Sequence, residues 1–227
     1  GGYALIPSFP SLSTRCEARE LHVFAPTTPR PGETFEVRVV SGCVDIYPEP
    51  DPLYTANIML KSNGLDMPRS VRIAKGDGGI ATFEATAPEE GLFWIVAEDK
   101  AKKFKARSNP VVCRESGPRV FWGDIHRHNV LGDGEWKPST VLRHARDIEA
   151  LDFVSLSEHD LNQVTYYMVK DNDLTTVPQV RHREGKWAYL EKLEAAFSSP
   201  GSFVTIPGFE WTSHEKGHRN GYFNPDS

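Results

Sequence analysis

The chain is short of the features that settle a protein's class at sight. No apolar run approaches the ~20 residues that a helix needs to cross a bilayer. The opening Gly1-Gly2-Tyr3-Ala4-Leu5-Ile6-Pro7 has no initiator Met and no basic-then-apolar leader. It reads as the start of a processed chain, which is compatible with an export signal already removed. Cysteine is scarce: Cys16, Cys43 and Cys113. An odd count argues against a disulfide framework, although one pair plus a free thiol also fits. None has Cys-x-x-Cys spacing or a His at ligand spacing, so all three are read as small buried hydrophobes. Positive charge is in deficit as well, with 26 Lys and Arg against 31 Asp and Glu and a pI near 5.9. That gives no general attraction for nucleic acid. Residues 1–117 hold 14 basic and 15 acidic side chains, the remainder 12 and 16. The deficit therefore falls on the second half, where a cation site is best placed.

What is present divides into a β part and an α/β part, and 227 residues suffice for two modest domains. After a lead-in (1–15), residues 16–113 show short Val-, Ile-, Phe- and Thr-rich runs separated by Pro, Gly, Asn and Asp clusters. This is the grammar of an Ig-like β-sandwich. Strands are expected at Glu20–Phe24, Thr34–Val40, Ala56–Leu60, Ser70–Ile73, Ala81–Ala85, Leu92–Ala97, Phe104–Ala106 and Val111–Cys113. The prolines and glycine of Ser108–Pro118 break regular pairing, and 114–118 is the expected linker. Beyond it (119–227) the pattern becomes strand 119–128, a Gly-rich turn, then a helix from Pro138 to Ala150 with Val141, Leu142, Ala145 and Ile148 as its apolar face. His144 is expected to face solvent. Next come strand Asp152–Ser157, a helix near Lys186–Phe197 and strand Ser202–Ile206. Strand–helix–strand–helix–strand implies a parallel sheet or barrel, with polar residues gathered at the strands' C-terminal ends.

Those residues are the most informative in the chain. In an unbroken strand Asp124, His126 and His128 share one face and Arg127 takes the other. Asp133 follows in Gly132-Asp-Gly134, His159 in Glu158-His-Asp160, then Glu210 and His218. Imidazoles with a few carboxylates are ligands for Zn, Mn or Fe, and the carboxylates are too few for a calcium cage. Glu210 or Asp133 bridging two ions ~3.5–4 Å apart suits in-line displacement. Asp133 is also a natural turn residue, and Glu210 also reads as a buried hydrogen-bonded carboxylate. Asp124 is expected to orient a ligand histidine rather than bind metal. Arg219 is the leading cationic clamp for a phosphoryl group, with Arg127, Arg181 and Arg183 behind it, Arg127 disfavoured by its opposite strand face. The long 162–185 connection is expected to cover the site.

These motifs, Trp122–His128, Leu151–Asp160, Gly208–Thr212 and Gly217–Phe223, resemble the PHP (polymerase and histidinol phosphatase) superfamily of metal-dependent phosphoesterases. More narrowly, they are similar to PHP-like proteins of unassigned function that tend to carry an N-terminal β-sandwich. The resemblance covers about 108–227; the sandwich matches in kind only. It implies a distorted (β/α) barrel with two or three divalent ions (Mn, Zn or Fe). His126 and His128 would bind one ion with Glu210 bridging, and Asp133, His159 and His218 would complete the cluster. Glu158 and Asp160 would support the ligands from behind. The chain departs from the pattern at Glu158 (usually Asp), Asn129 (usually Thr) and Gly132 (usually Ser). The later ligands of the superfamily lie outside these residues. The barrel is therefore expected to be incomplete, its complement on further sequence or another chain.

The expected activity is hydrolysis of a small-molecule ester, phosphorylated in the leading reading, by a metal-bridging hydroxide, with His126, His128, His159, Glu210 and Arg219 as the catalytic set. The alternatives are a metal hydrolase of carboxylic or sulfate esters or amides, and a non-catalytic scaffold with a degenerate metal domain. Nucleic acid is not an expected partner, nor is a membrane-spanning segment.

Overall fold

The structure is a computed structural model that describes residues 17–43, 49–132, 134, 136–160, 183–213 and 215–223. In the first half, β1 (Glu20–Phe24), β2 (Thr34–Gly42) and β5 (Ile80–Thr86) form one antiparallel sheet in the order β1-β2-β5. The facing sheet has the order β4-β3-β7-β8, from β3 (Ala56–Ser62), β4 (Ser70–Ile73), β7 (Ile95–Asp99) and β8 (Phe104–Arg107). Strand alternation explains the core: Phe35, Val37 and Val39 of β2 and Ala81, Phe83 and Ala85 of β5 point inward. They meet Ile58, Leu60, Ile73 and Ile95 from the opposite sheet. Each fully buried Val or Ile contributes about 1.5–3 kcal/mol of transfer free energy. This half is a β-sandwich.

Two expectations change here. Leu92–Ala97 is two strands: β6 (Gly91–Phe93) pairs with β9 (Val111–Cys113), while β7 enters the four-stranded sheet. Trp94 is the break, its N–H donated to the Asn63 Oδ1 at 2.8 Å instead of a ladder. The cysteines also differ among themselves. Cys113 is free and buried, but Cys43 is disulfide-bonded, so it is a covalent tie rather than a small hydrophobe. Cys16 lies outside the described residues.

In the second half β10 (Gly123–Arg127), β11 (Phe153–Leu156) and β12 (Val204–Thr205) are parallel in that order. Helix α1 (Pro138–Arg143) continues into a π-helical turn, His144–Ile148, and α2 spans Arg183–Phe197. Leu131, Val141, Leu142, Ala145, Val154, Leu156, Leu190 and Phe203 form a second core. After Pro207 the chain resumes as β13 (Gly208–Trp211), which turns back into antiparallel β14 (Arg219–Tyr222). β12 and β13 hold one register against β11 and its extension, since Val154 faces Thr205 and His159 faces Glu210 at the same offset. The Glu210 N–H donates to Glu158 O at 2.8 Å and the Asp160 N–H to Glu210 O at 2.9 Å. The described residues thus form an open three-stranded parallel sheet and a separate antiparallel pair, β13-β14, joined to it through the His159–Glu210 bridge, not a closed barrel.

Side chains join the two halves. Arg119 makes a paired contact with Glu33 at 2.7 and 2.9 Å, the Trp122 indole N–H donates to Thr27 Oγ1 at 2.7 Å, and Arg38 donates to Arg146 O at 2.7 Å. Among the described residues no helix is long and apolar enough to cross a membrane.

Candidate metal centre

Three strand ends deliver the site. Glu210 on β13 is 4 % exposed, and its carboxylate is the hub. Oε2 lies 3.5 Å from His126 Nε2, 3.3 Å from His128 Nε2 and 3.2 Å from His159 Nδ1, while Oε1 lies 3.1 Å from His218 Nδ1. The rings pack on one another: His128 stacks on His159 with centroids 4.7 Å apart, and His126 and His218 meet them edge-on at 5.0 and 5.1 Å. Two groups have ligand atoms within 4.8 Å of one another: His126, His128 and Glu210, and His159, Glu210 and His218. One carboxylate is common to both.

This donor set fits divalent cations. Among the described residues, Glu210 Oε2 is buried and accepts no hydrogen bond despite three imidazole nitrogens around it. Neutral imidazoles turning lone pairs toward a carboxylate repel it, and four imidazolium rings in contact repel one another. A cation between the nitrogens and the oxygen removes both conflicts. On the strand beside Glu210, its cross-strand partner Asn220 also has a buried Oδ1 with no hydrogen bond among the described residues.

The supporting residues differ from expectation. Among the described residues, Asp124 hydrogen-bonds no histidine ring. Its carboxylate accepts the His126 backbone N–H at 2.9 Å and the Arg127 Nε–H at 2.8 Å. The cause is a β-bulge: Asp124 pairs with Val154 but Arg127 with Leu156, so β10 carries one extra residue. The bulge cancels simple alternation and lets Asp124 and Arg127 meet. His144 is buried rather than solvent-facing, its ring 5.0 Å from Trp136 and its Nδ1 3.4 Å from Glu149 Oε1. The π turn supplies the rotation that a regular helix lacks. Arg127 also donates to Glu149. Burial pushes the Glu149 carboxyl up, but the adjacent His144 imidazole and the Arg127 charge outweigh it and hold it below the usual range.

Glu158 is fully buried and accepts the Asn129 backbone N–H. A Cβ on Gly132 would stand 1.9 Å from Glu158 Oε2. Asn129, Gly132 and Glu158 are therefore neighbours, and the Glu158 carboxylate occupies the space beside Gly132. Asp160 Oδ1 accepts the Thr212 N–H at 2.9 Å. Thr212 Oγ1 in turn lies 2.8 Å from His159 Nδ1, a contact that sequence reading did not find. Lys186 was missed for a different reason: a lysine in the first turns of an amphipathic helix reads as solvated. It is buried, and its Nζ donates to His159 O at 2.6 Å and Leu131 O at 3.2 Å.

The expected clamp is displaced. Arg219 pairs across the hairpin with Trp211, and its guanidinium lies 6.0 Å from that ring's centroid. Paired strand residues share a face, and Trp211 and Glu210 alternate, so Arg219 stands on the face away from the Glu210 carboxylate. Arg183 opens α2. Asp133, Arg181 and most of the 162–185 connection lie outside the described residues.

No family model matches the chain. It is 24% identical over 135 residues to an uncharacterized protein of Chlamydia pneumoniae, covering 58% of this chain and 19% of that protein. A second uncharacterized protein, from Chlamydia muridarum, is 24% identical over 131 residues, 57% of this chain and 18% of its own length. The chain thus spans about a fifth of the length of the curated relatives it matches. Among solved structures it is similar to the D00-D0 domain of Intimin, with 11% identity, a TM-score of 0.33, and coverage of 43% of this chain and 48% of that one.

Proposed function

We propose that residues 119–227 carry part of a metal-dependent hydrolase centre of the PHP type, acting in the leading reading on a phosphate ester. The observation that carries it is the convergence of four imidazoles on the buried Glu210 carboxylate, where Oε2 has no hydrogen bond among the described residues. His126, His128 and Glu210 would hold one divalent cation and His159, Glu210 and His218 a second. Bound cations supply Lewis acidity and acidify water, which these side chains do not achieve alone. The chain's own part is positional. The ladder between Glu158–Asp160 and Glu210 fixes two ligands in register, and the Thr212 hydroxyl at His159 Nδ1 would give way to a cation bound at that nitrogen. The exposed edges of His126 and His218 face solvent, where a substrate would enter.

A second reading, hydrolysis of a carboxylic or sulfate ester or an amide, is favoured by Arg219, whose turn toward Trp211 takes a cation away from the carboxylate face. Calorimetric titration with Zn2+ or Mn2+, followed by hydrolysis of aryl phosphate, phosphodiester, sulfate and carboxylic ester substrates, tests both. Metal binding at micromolar affinity or tighter that falls at least tenfold in His128→Ala is expected. A protein that takes up neither metal would reject the hydrolase and leave a scaffold.

A further inference from the structure

We infer that Arg127 and Glu149 are positioning residues for the His126/His128 pair, and that the π turn after α1 exists to deliver Glu149 to that task. Arg127 lies between the two histidines in sequence, yet its side chain leaves them and is largely buried behind β10. There it spans two carboxylates, Asp124 through Nε and Glu149 through Nη2. Asp124 in turn accepts the His126 backbone N–H, and the Arg127 carbonyl accepts the Ser157 N–H at 3.0 Å. A bulge is the least constrained place in a ladder, because one residue lacks a partner. At this bulge each neighbouring group is held by a named contact, and the two histidines emerge on either side of the residue that anchors it.

A separate observation points the same way. Glu149 reaches Arg127 only because the helix widens over His144–Ile148, its N–H donating to His144 O at 3.0 Å. The next residue, Ala150, is left-handed with φ 53°, a conformation an alanine adopts at a cost. The Leu151 N–H donates back to Ala145 O at 2.9 Å. A π turn followed by a strained alanine is unfavourable on local grounds, and such segments persist where the surroundings require them. Here they bring Glu149 between His144 Nδ1 and the Arg127 guanidinium. His159 has other side-chain contacts, Thr212 at its ring and Lys186 at its carbonyl, and neither Arg127 nor Glu149 is among them.

The functional meaning rests on the proposed metal reading, but the positioning does not, and the test separates them. Glu149→Gln keeps the side chain's shape and removes its charge; Arg127→Lys keeps the charge and cannot span both carboxylates. If one variant fails to fold, the other is read in the same way. In the metal-free protein, the imidazole NMR signals of His126 and His128 should broaden or shift in either variant, while that of His218 stays in place. On Zn2+ titration, affinity of the first group should fall about 10–100-fold, with the second within about threefold. Unchanged His126 and His128 signals in a folded variant overturn the inference whether or not metal binds. Absence of Zn2+ binding by the unaltered protein removes the metal reading and leaves the NMR result to decide the positioning.

Discussion

The contact between Gly132 and Glu158 offers the sharpest test of how the site is built. Gly132→Ala would set a Cβ 1.9 Å from Glu158 Oε2, so the carboxyl must retreat by about 1.5 Å or more to reach ordinary contact. Its retreat is constrained, since Glu158 is fully buried and its other oxygen accepts the Asn129 N–H. Overpacking of this kind costs about 1–3 kcal/mol, and loss of a hydrogen bond to a charged acceptor adds about 1.5–3 kcal/mol. Glu158→Asp alone withdraws the acid by one methylene and costs about 1–3 kcal/mol through the same hydrogen bond. In the double variant the shorter acid makes room for the new methyl, so the two losses overlap. The expected coupling is about 1–2 kcal/mol of rescue. Urea denaturation followed by tryptophan fluorescence on the four proteins measures it. Additivity within about 0.5 kcal/mol would refute the claim that these positions share one space.

Two further outcomes concern stability. Burial between α2 and the sheet pushes the Glu194 carboxyl up to about 8; a raised folded-state value means that stability is fully present below the unfolded value near 4.5 and drains away as pH rises toward 8. Unfolding free energy should therefore fall by roughly 4 kcal/mol between pH 4.5 and 8 from this group, and Glu194→Gln should flatten that slope in denaturation curves. The Cys43 disulfide should contribute about 2–4 kcal/mol, so a reductant should lower the melting temperature; an unchanged melting temperature on complete reduction would contradict it.

Much of the sandwich was legible because alternation and burial coincide: Phe35, Val37 and Val39 announce β2 by themselves. The break at Trp94 was not, because the residues on both sides suit a strand and only the choice of sheet separates them. The site divides along the same line. His126, His128, His159, Glu210 and His218 stood out by residue type and spacing, and the structure brings them together. Their supports did not stand out. The bulge in β10 depends on the register with β11, and the π turn that buries His144 depends on Glu149 and Arg127 across a layer. Arg219-Asn-Gly-Tyr222 has no apolar alternation and becomes a strand only because β13 lies beside it.

The single register that β12 and β13 keep along β11, across Pro207, makes segment length a form of information. Glu210 faces His159 because a fixed count of residues separates it from Val204. Inserting or deleting one residue there would turn the carboxylate to the other side of the sheet, while two would restore its side and move it one pleat along. The stretch from Thr205 to Phe209 can therefore vary in composition far more freely than in number. A relative that keeps every histidine but differs by one residue in this stretch would carry the same alphabet with its central letter facing the wrong way.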